Sequence, residues 1–69
     1  MLNQEEINSQ LQTLKQGEKV IFKSKEGKAK VFYLPSGFYY LTFNGREIET
    51  IKDINAIYET IIDLLKIEI

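Results

Sequence analysis

The sequence predicts an α+β fold in which a four-stranded antiparallel meander is preceded by one helix and followed by another. Three observations carry this: period-two alternation of apolar and polar residues from Lys19 to Ile51, the Asn44-Gly45 hairpin signal, and apolar spacings of three and four in both flanking segments. Strands are expected at about 19–25, 28–34, 38–43 and 46–49, and helices at about 4–15 and 53–66, packed mainly on one face. The 69 residues are expected to form a single domain, small enough that its core is thin.

The first helix is announced by Asn3 and Glu6 at capping-box spacing, and Ile7, Leu11 and Leu14 give it one narrow apolar stripe. Gly17 is expected to end it, with Lys15 in the last turn where the helix dipole favours a cation. The next two runs read as a hairpin through Glu26-Gly27. A two-residue loop pairs Lys25 with Lys28 but sets glutamate at positive φ, whereas a three-residue loop pairs Ser24 with Lys28 and gives Gly27 the left-handed position. The first is preferred on hydrophobic pattern, because it gathers Val20, Phe22, Ala29, Val31 and Tyr33 on one face and the lysines on the other.

Leu34-Pro35-Ser36-Gly37 has proline where a type I turn accepts it and glycine where a bulge needs it, so a third strand follows. Asn44-Gly45 then pairs Phe43 with Arg46 and opens the fourth. Carried across the sheet, this pairing puts Val20, Phe22, Val31, Tyr33, Tyr39, Leu41, Phe43 and Ile48 on the core face. Asp53, alone or with Thr50, can cap the second helix, whose wide stripe of Ile54, Ile57, Tyr58, Ile61, Ile62, Leu64 and Leu65 makes it the main lid. The tail Ile67-Glu68-Ile69 either prolongs that helix or forms an edge strand.

The opposite face is left open. Ile21, Phe32 and Tyr40 are expected in one row ending at Glu49, with Lys23, Lys30, Thr42 and Glu47 in the next and a Lys25–Lys28 pair at the tip. Stacked lysine pairs repel, and exposed aromatics clustered on one face mark contact sites. Ile21, Lys23, Lys25, Lys28, Lys30, Phe32 and Tyr40 are therefore the expected partner-binding residues, for a protein or, alternatively, for nucleic acid through base stacking and phosphate neutralisation. The plainer readings are lysines that guard a sheet edge, a first helix that crosses to cover the face, or a homodimer contact.

Several activities are disfavoured by composition. The chain has no histidine and no cysteine, so Ser9, Ser24 and Ser36 lack a histidine base, and no disulfide or thiolate metal site can form. Glu47 and Glu49, about 7 Å apart on one strand, would be solvated edge residues rather than a catalytic pair. Asp53 and Asp63 make no calcium loop, and Gly27-Lys28 and Gly45-Arg46 lack the remainder of a phosphate-binding loop. Net charge is −1, so global attraction to polyanions is not expected. The polar N-terminal residues, with Glu5 and Glu6, do not read as a signal peptide, and no apolar run approaches the roughly 20 residues of a membrane helix. A non-catalytic, cytoplasmic interaction protein without metal or cofactor is the expectation.

The order helix, strands, helix is similar in layout to the double-stranded RNA-binding domain. That family carries a basic cluster at the start of its last helix, where this chain has Lys52-Asp53-Ile54-Asn55-Ala56. The short, cysteine-free arrangement of helix, hairpins and helix also resembles small phage-encoded anti-CRISPR and related anti-defence proteins, which implies an inhibitor or modulator of a host protein.

Overall fold

The computed structural model describes residues 3–67. Helix α1 (Gln4–Thr13) leads into strands β1 (Lys19–Ser24), β2 (Gly27–Tyr33), β3 (Tyr39–Phe43) and β4 (Arg46–Ile51), and helix α2 (Ile54–Leu65) follows. The strands form one antiparallel sheet in the order β1-β2-β3-β4, the expected meander.

Asn3 caps α1 by accepting the Glu6 N–H at 2.8 Å, and Ile7 and Leu11 are fully buried. The helix stops at Thr13, two residues before the expected Lys15, because Leu14 adopts an extended conformation that packs it against the core. Lys15 therefore lies outside the last turn. Gly17 serves a separate turn, in which the Glu18 N–H donates to the Lys15 carbonyl at 3.0 Å and glycine supplies a φ of 89° at the third position.

Pairing of β1 with β2 differs from both registers considered above. Ser24 faces Gly27, Lys23 faces Lys28, Ile21 faces Lys30 and Lys19 faces Phe32, so Lys25 and Glu26 form the loop. The shift from the preferred register is two residues, which leaves every side chain on its expected face. Hydrophobic pattern cannot detect an even slip. Turn chemistry can: this register keeps Glu26 out of positive φ and gives that conformation to Gly27, at 148°. Lys25 consequently belongs to the turn and not to the strand.

The other hairpins form as the sequence implies. The Gly37 N–H donates to the Leu34 carbonyl at 2.9 Å with Gly37 at φ 93°, and Asn44 and Gly45 take φ 52° and 84°, the paired positive values of a type I′ turn. Phe43 faces Arg46 and Thr42 faces Glu47, but beyond them a bulge intervenes, so that Leu41 faces Glu49, Tyr40 faces Thr50 and Tyr39 faces Ile51. The bulge overturns two expectations together. Ile48, expected in the core, is 40% exposed; Glu49, expected on the open face, turns toward α2 and accepts the Thr60 hydroxyl at 2.8 Å. One extra residue reverses the strand's parity, and Ile51 takes the place against the core that Ile48 gives up.

Helix α2 begins at Asp53, whose carboxylate accepts the Asn55 N–H at 2.9 Å, and it ends at Lys66 in the left-handed conformation. Its buried Ile57, Ile61 and Leu65 meet Phe22, Ala29, Val31, Tyr39 and Leu41 from the sheet and Ile7 and Leu11 from α1 in one cluster. Both helices thus lie on one face, and the alternative in which α1 crosses the sheet does not occur. Tyr58 donates to the Gln4 side chain at 3.1 Å between the helices, and the Ser24 hydroxyl donates to the Leu65 carbonyl at 3.1 Å, tying the end of α2 to β1. Tyr33 and Tyr39 stack at 4.4 Å, and burial, with Tyr33 beside it, raises the Tyr39 pKa above its ordinary value. Neither expected form of the tail is present at Ile67, which lies beyond the end of α2 and outside any strand; Glu68 and Ile69 fall outside the described residues.

Candidate interaction face

Since the helices bury one face of the sheet, alternate residues of every strand stand on the other. The pairing orders them into rows. Lys19, Phe32, Tyr40 and Thr50 form one row; Ile21, Lys30, Thr42 and Glu47 the next; Lys23 and Lys28 lie nearest the β1–β2 turn. At the opposite end the Lys52 ammonium lies 5.7 Å from the centre of the Phe38 ring.

Phe32 is the centre of the face. Lys19 and Lys30 hold their ammonium groups 5.8 and 5.7 Å from its centroid, and the Tyr40 ring lies 6.1 Å away at a 38° tilt. A cation placed over an exposed ring contributes about 0.5–1 kcal/mol, so the two lysines are drawn onto the ring rather than left free in solvent. The Tyr40 hydroxyl donates to Glu47 over a long 3.4 Å, a weak contact on the Tyr40 side of that row. Ile21, at 41% exposure, stands beside Lys30 and is not the neighbour of Phe32 that the sequence suggested.

Of the expected binding residues, Lys23, Lys28, Lys30, Phe32, Tyr40 and Ile21 share this face, and Lys25 sits in the turn at its tip. Lys23 directly opposes Lys28, in place of the expected Lys25–Lys28 pair. That like-charge contact costs a few tenths to about 1 kcal/mol. Sequence reasoning passed over Lys19 and Lys52. Lys19 comes to lie opposite Phe32 only in the observed register, for which Glu26 at the turn was the available signal; Lys52 joins because β4 runs on to Ile51, past the expected end at Glu49.

The rows of the open face carry more lysine than acid. Lys19, Lys23, Lys28, Lys30 and Lys52 accompany the open face, where Glu47 is the acid of the rows and Glu26 shares the turn at its tip with Lys25, while Glu5, Glu6, Glu49, Asp53, Glu59 and Asp63 belong to the helices or the side they cover, together with Lys66 at the end of α2. A net charge of −1 conceals this separation.

Between the β1–β2 and β3–β4 turns the face carries a depression of about 430 Å³, lined by Lys28, Lys30, Thr42, Asn44 and Gly45. Asn44 is fixed there by its own backbone and side chain. Its N–H donates to the Lys28 carbonyl at 2.9 Å, and its Oδ1 accepts the Lys28 N–H at 2.9 Å. Among the described residues no group of three or more acidic side chains is gathered as a metal site, and no helix is long and apolar enough to cross a membrane. No protein-family profile, curated protein or solved structure matches the chain.

Proposed function

We propose that this is a small non-catalytic interaction protein that docks its open sheet face on an acidic surface of a protein partner, acting by occupancy as an inhibitor, modulator or adaptor. The observation that carries the reading is that the face the helices leave bare holds the Phe32–Tyr40 pair with Lys19 and Lys30 over Phe32, Lys23 and Lys28 toward the β1–β2 turn and Lys52 over Phe38 at the other end. Rings and lysine stems supply apolar contact area, and the ammonium groups select an acidic counterpart. Two copies meeting through this face would set lysines against lysines, which disfavours the homodimer reading.

Nucleic acid is the second reading, favoured by a ring row flanked with ammonium groups that could stack bases and neutralise phosphates. Both readings are tested with the variant that carries glutamate at Lys19, Lys23, Lys28 and Lys30. It is expected to keep the wild-type circular dichroism spectrum and to lose capture of the partner from host lysate, while charge reversal of Glu5, Glu6 and Glu59 leaves capture intact. Unchanged capture by the sheet variant removes the face from consideration. Titration of labelled single- and double-stranded DNA and RNA at two salt concentrations separates the readings, since phosphate neutralisation makes affinity fall steeply with salt; absence of binding at low salt excludes nucleic acid.

A further inference from the structure

We infer that the depression between the two hairpin turns is a seat for a phosphate group, taken as free phosphate or as the monoester of a nucleotide-sized molecule. This goes beyond the docking reading and does not depend on it. Its lining residues carry donors: Lys28 and Lys30 bring ammonium groups, Thr42 a hydroxyl and Asn44 an amide, and Gly45 adds no side chain; the Lys30 ammonium rests 5.7 Å from the centre of the Phe32 ring and would swing from it to meet an anion. No carboxylate is among the lining residues; the acid of that row, Glu47, is the cross-strand partner of Thr42 and lies 3.4 Å from the Tyr40 hydroxyl.

The strand geometry sets the spacing. Lys28 and Lys30 are two apart on β2, so their Cα atoms stand roughly 7 Å apart on one face, a span that a multivalent oxyanion can bridge. Thr42 is the cross-strand partner of Lys30, and Asn44 is bonded to Lys28 through both its backbone and its side chain, so a hydroxyl and an amide are brought beside the two cations by the sheet pairing itself. Lys23 opposite Lys28 adds a third positive charge at the border, and a bound dianion would offset the repulsion between them. The volume of about 430 Å³ falls at the lower end of small-molecule sites, enough for a phosphate and the organic group it carries.

The test is a backbone-amide NMR titration of the intact protein with sodium phosphate, adenosine 5′-monophosphate and sodium acetate at matched ionic strength. Saturable shifts are expected at Lys28, Lys30, Thr42, Asn44 and Gly45 with phosphate or the nucleotide, and not with acetate. If phosphate alone saturates the site, the free ion suffices; if only the nucleotide does, the organic group contributes; both outcomes uphold the seat. Lys28→Gln with Lys30→Gln is expected to weaken binding at least tenfold, whereas Lys19→Gln with Lys52→Gln leaves it within twofold. Shifts that fail to saturate, that acetate reproduces, or that survive the Lys28 and Lys30 substitutions overturn the proposal. None of those results bears on partner capture, so the docking reading stands or falls separately.

Discussion

The side chain of Asn44 occupies the space that a Cβ at Gly27 would need: a carbon built there lies 2.5 Å from Asn44 Oδ1 and 2.6 Å from Nδ2. Two turns distant in sequence thereby lock together, since that same Oδ1 accepts the N–H of Lys28. Gly27→Ala therefore meets a backbone penalty at φ 148° and a steric one from Asn44, and is expected to destabilise by about 2–4 kcal/mol. Adding Asn44→Gly removes the collision and keeps a residue suited to positive φ at the turn. The double variant is expected to be at least about 1 kcal/mol more stable than the sum of the single effects. Urea unfolding of the four proteins measures this, and strict additivity would show that the two residues do not touch in solution.

The bulge in β4 makes a contrast between two apolar residues that alternation alone would treat alike. Ile48 is 40% exposed and Leu41 is fully buried. Ile48→Thr is expected to change stability by no more than about 0.5 kcal/mol, while Leu41→Ala costs about 2–5 kcal/mol. Thermal or urea denaturation separates them, and a large loss at Ile48 would mean that β4 pairs without the bulge.

Tyr39 ties stability to high pH. Its folded pKa is raised, chiefly by burial and then by the neighbouring Tyr33, above the ordinary value of 10.0, so the folded chain holds this proton more tightly than the unfolded chain. The stabilisation is complete below pH 10 and is lost as pH climbs from there through the folded value. Relative to wild type, Tyr39→Phe is expected to lose less stability above pH 10 and to show the same pH dependence at neutrality. Unfolding curves between pH 8 and about 11.5 test this; parallel profiles for the two proteins would show that the Tyr39 hydroxyl does not titrate differently in the fold.

Periodicity and turn chemistry made the elements legible: six were expected and six are present, with the Pro35–Gly37 and Asn44-Gly45 turns where their residues placed them. The faces of β1, β2 and β3 were also readable, because parity survives a slip of two. Relations that depend on the third dimension were not. The partner of each β1 residue was decided by Glu26 avoiding positive φ, a local preference that weighed more than the apparent comfort of a loop at Glu26-Gly27. The bulge has no signature in Arg46-Glu47-Ile48-Glu49, whose alternation reads as a continuous strand; it follows from Ile51 meeting the core and Glu49 meeting Thr60 on a helix distant in sequence. The residues expected on the open face accordingly lie there, save Lys25 in the turn and Glu49 on the other side, but with other neighbours, Lys19 taking the place of Ile21 beside Phe32.

The excess of lysine on the open face, set against the carboxylates of the helices, would contribute an electric dipole directed across the sheet. A body with little net charge feels almost no force in a uniform field, but one with a dipole feels a torque. Near a polyanion, within a Debye length of about 8 Å at physiological ionic strength, such a molecule would rotate its lysine side inward before any contact is made. Orientation would then be partly settled during approach, raising the fraction of encounters that begin with the lysine side forward.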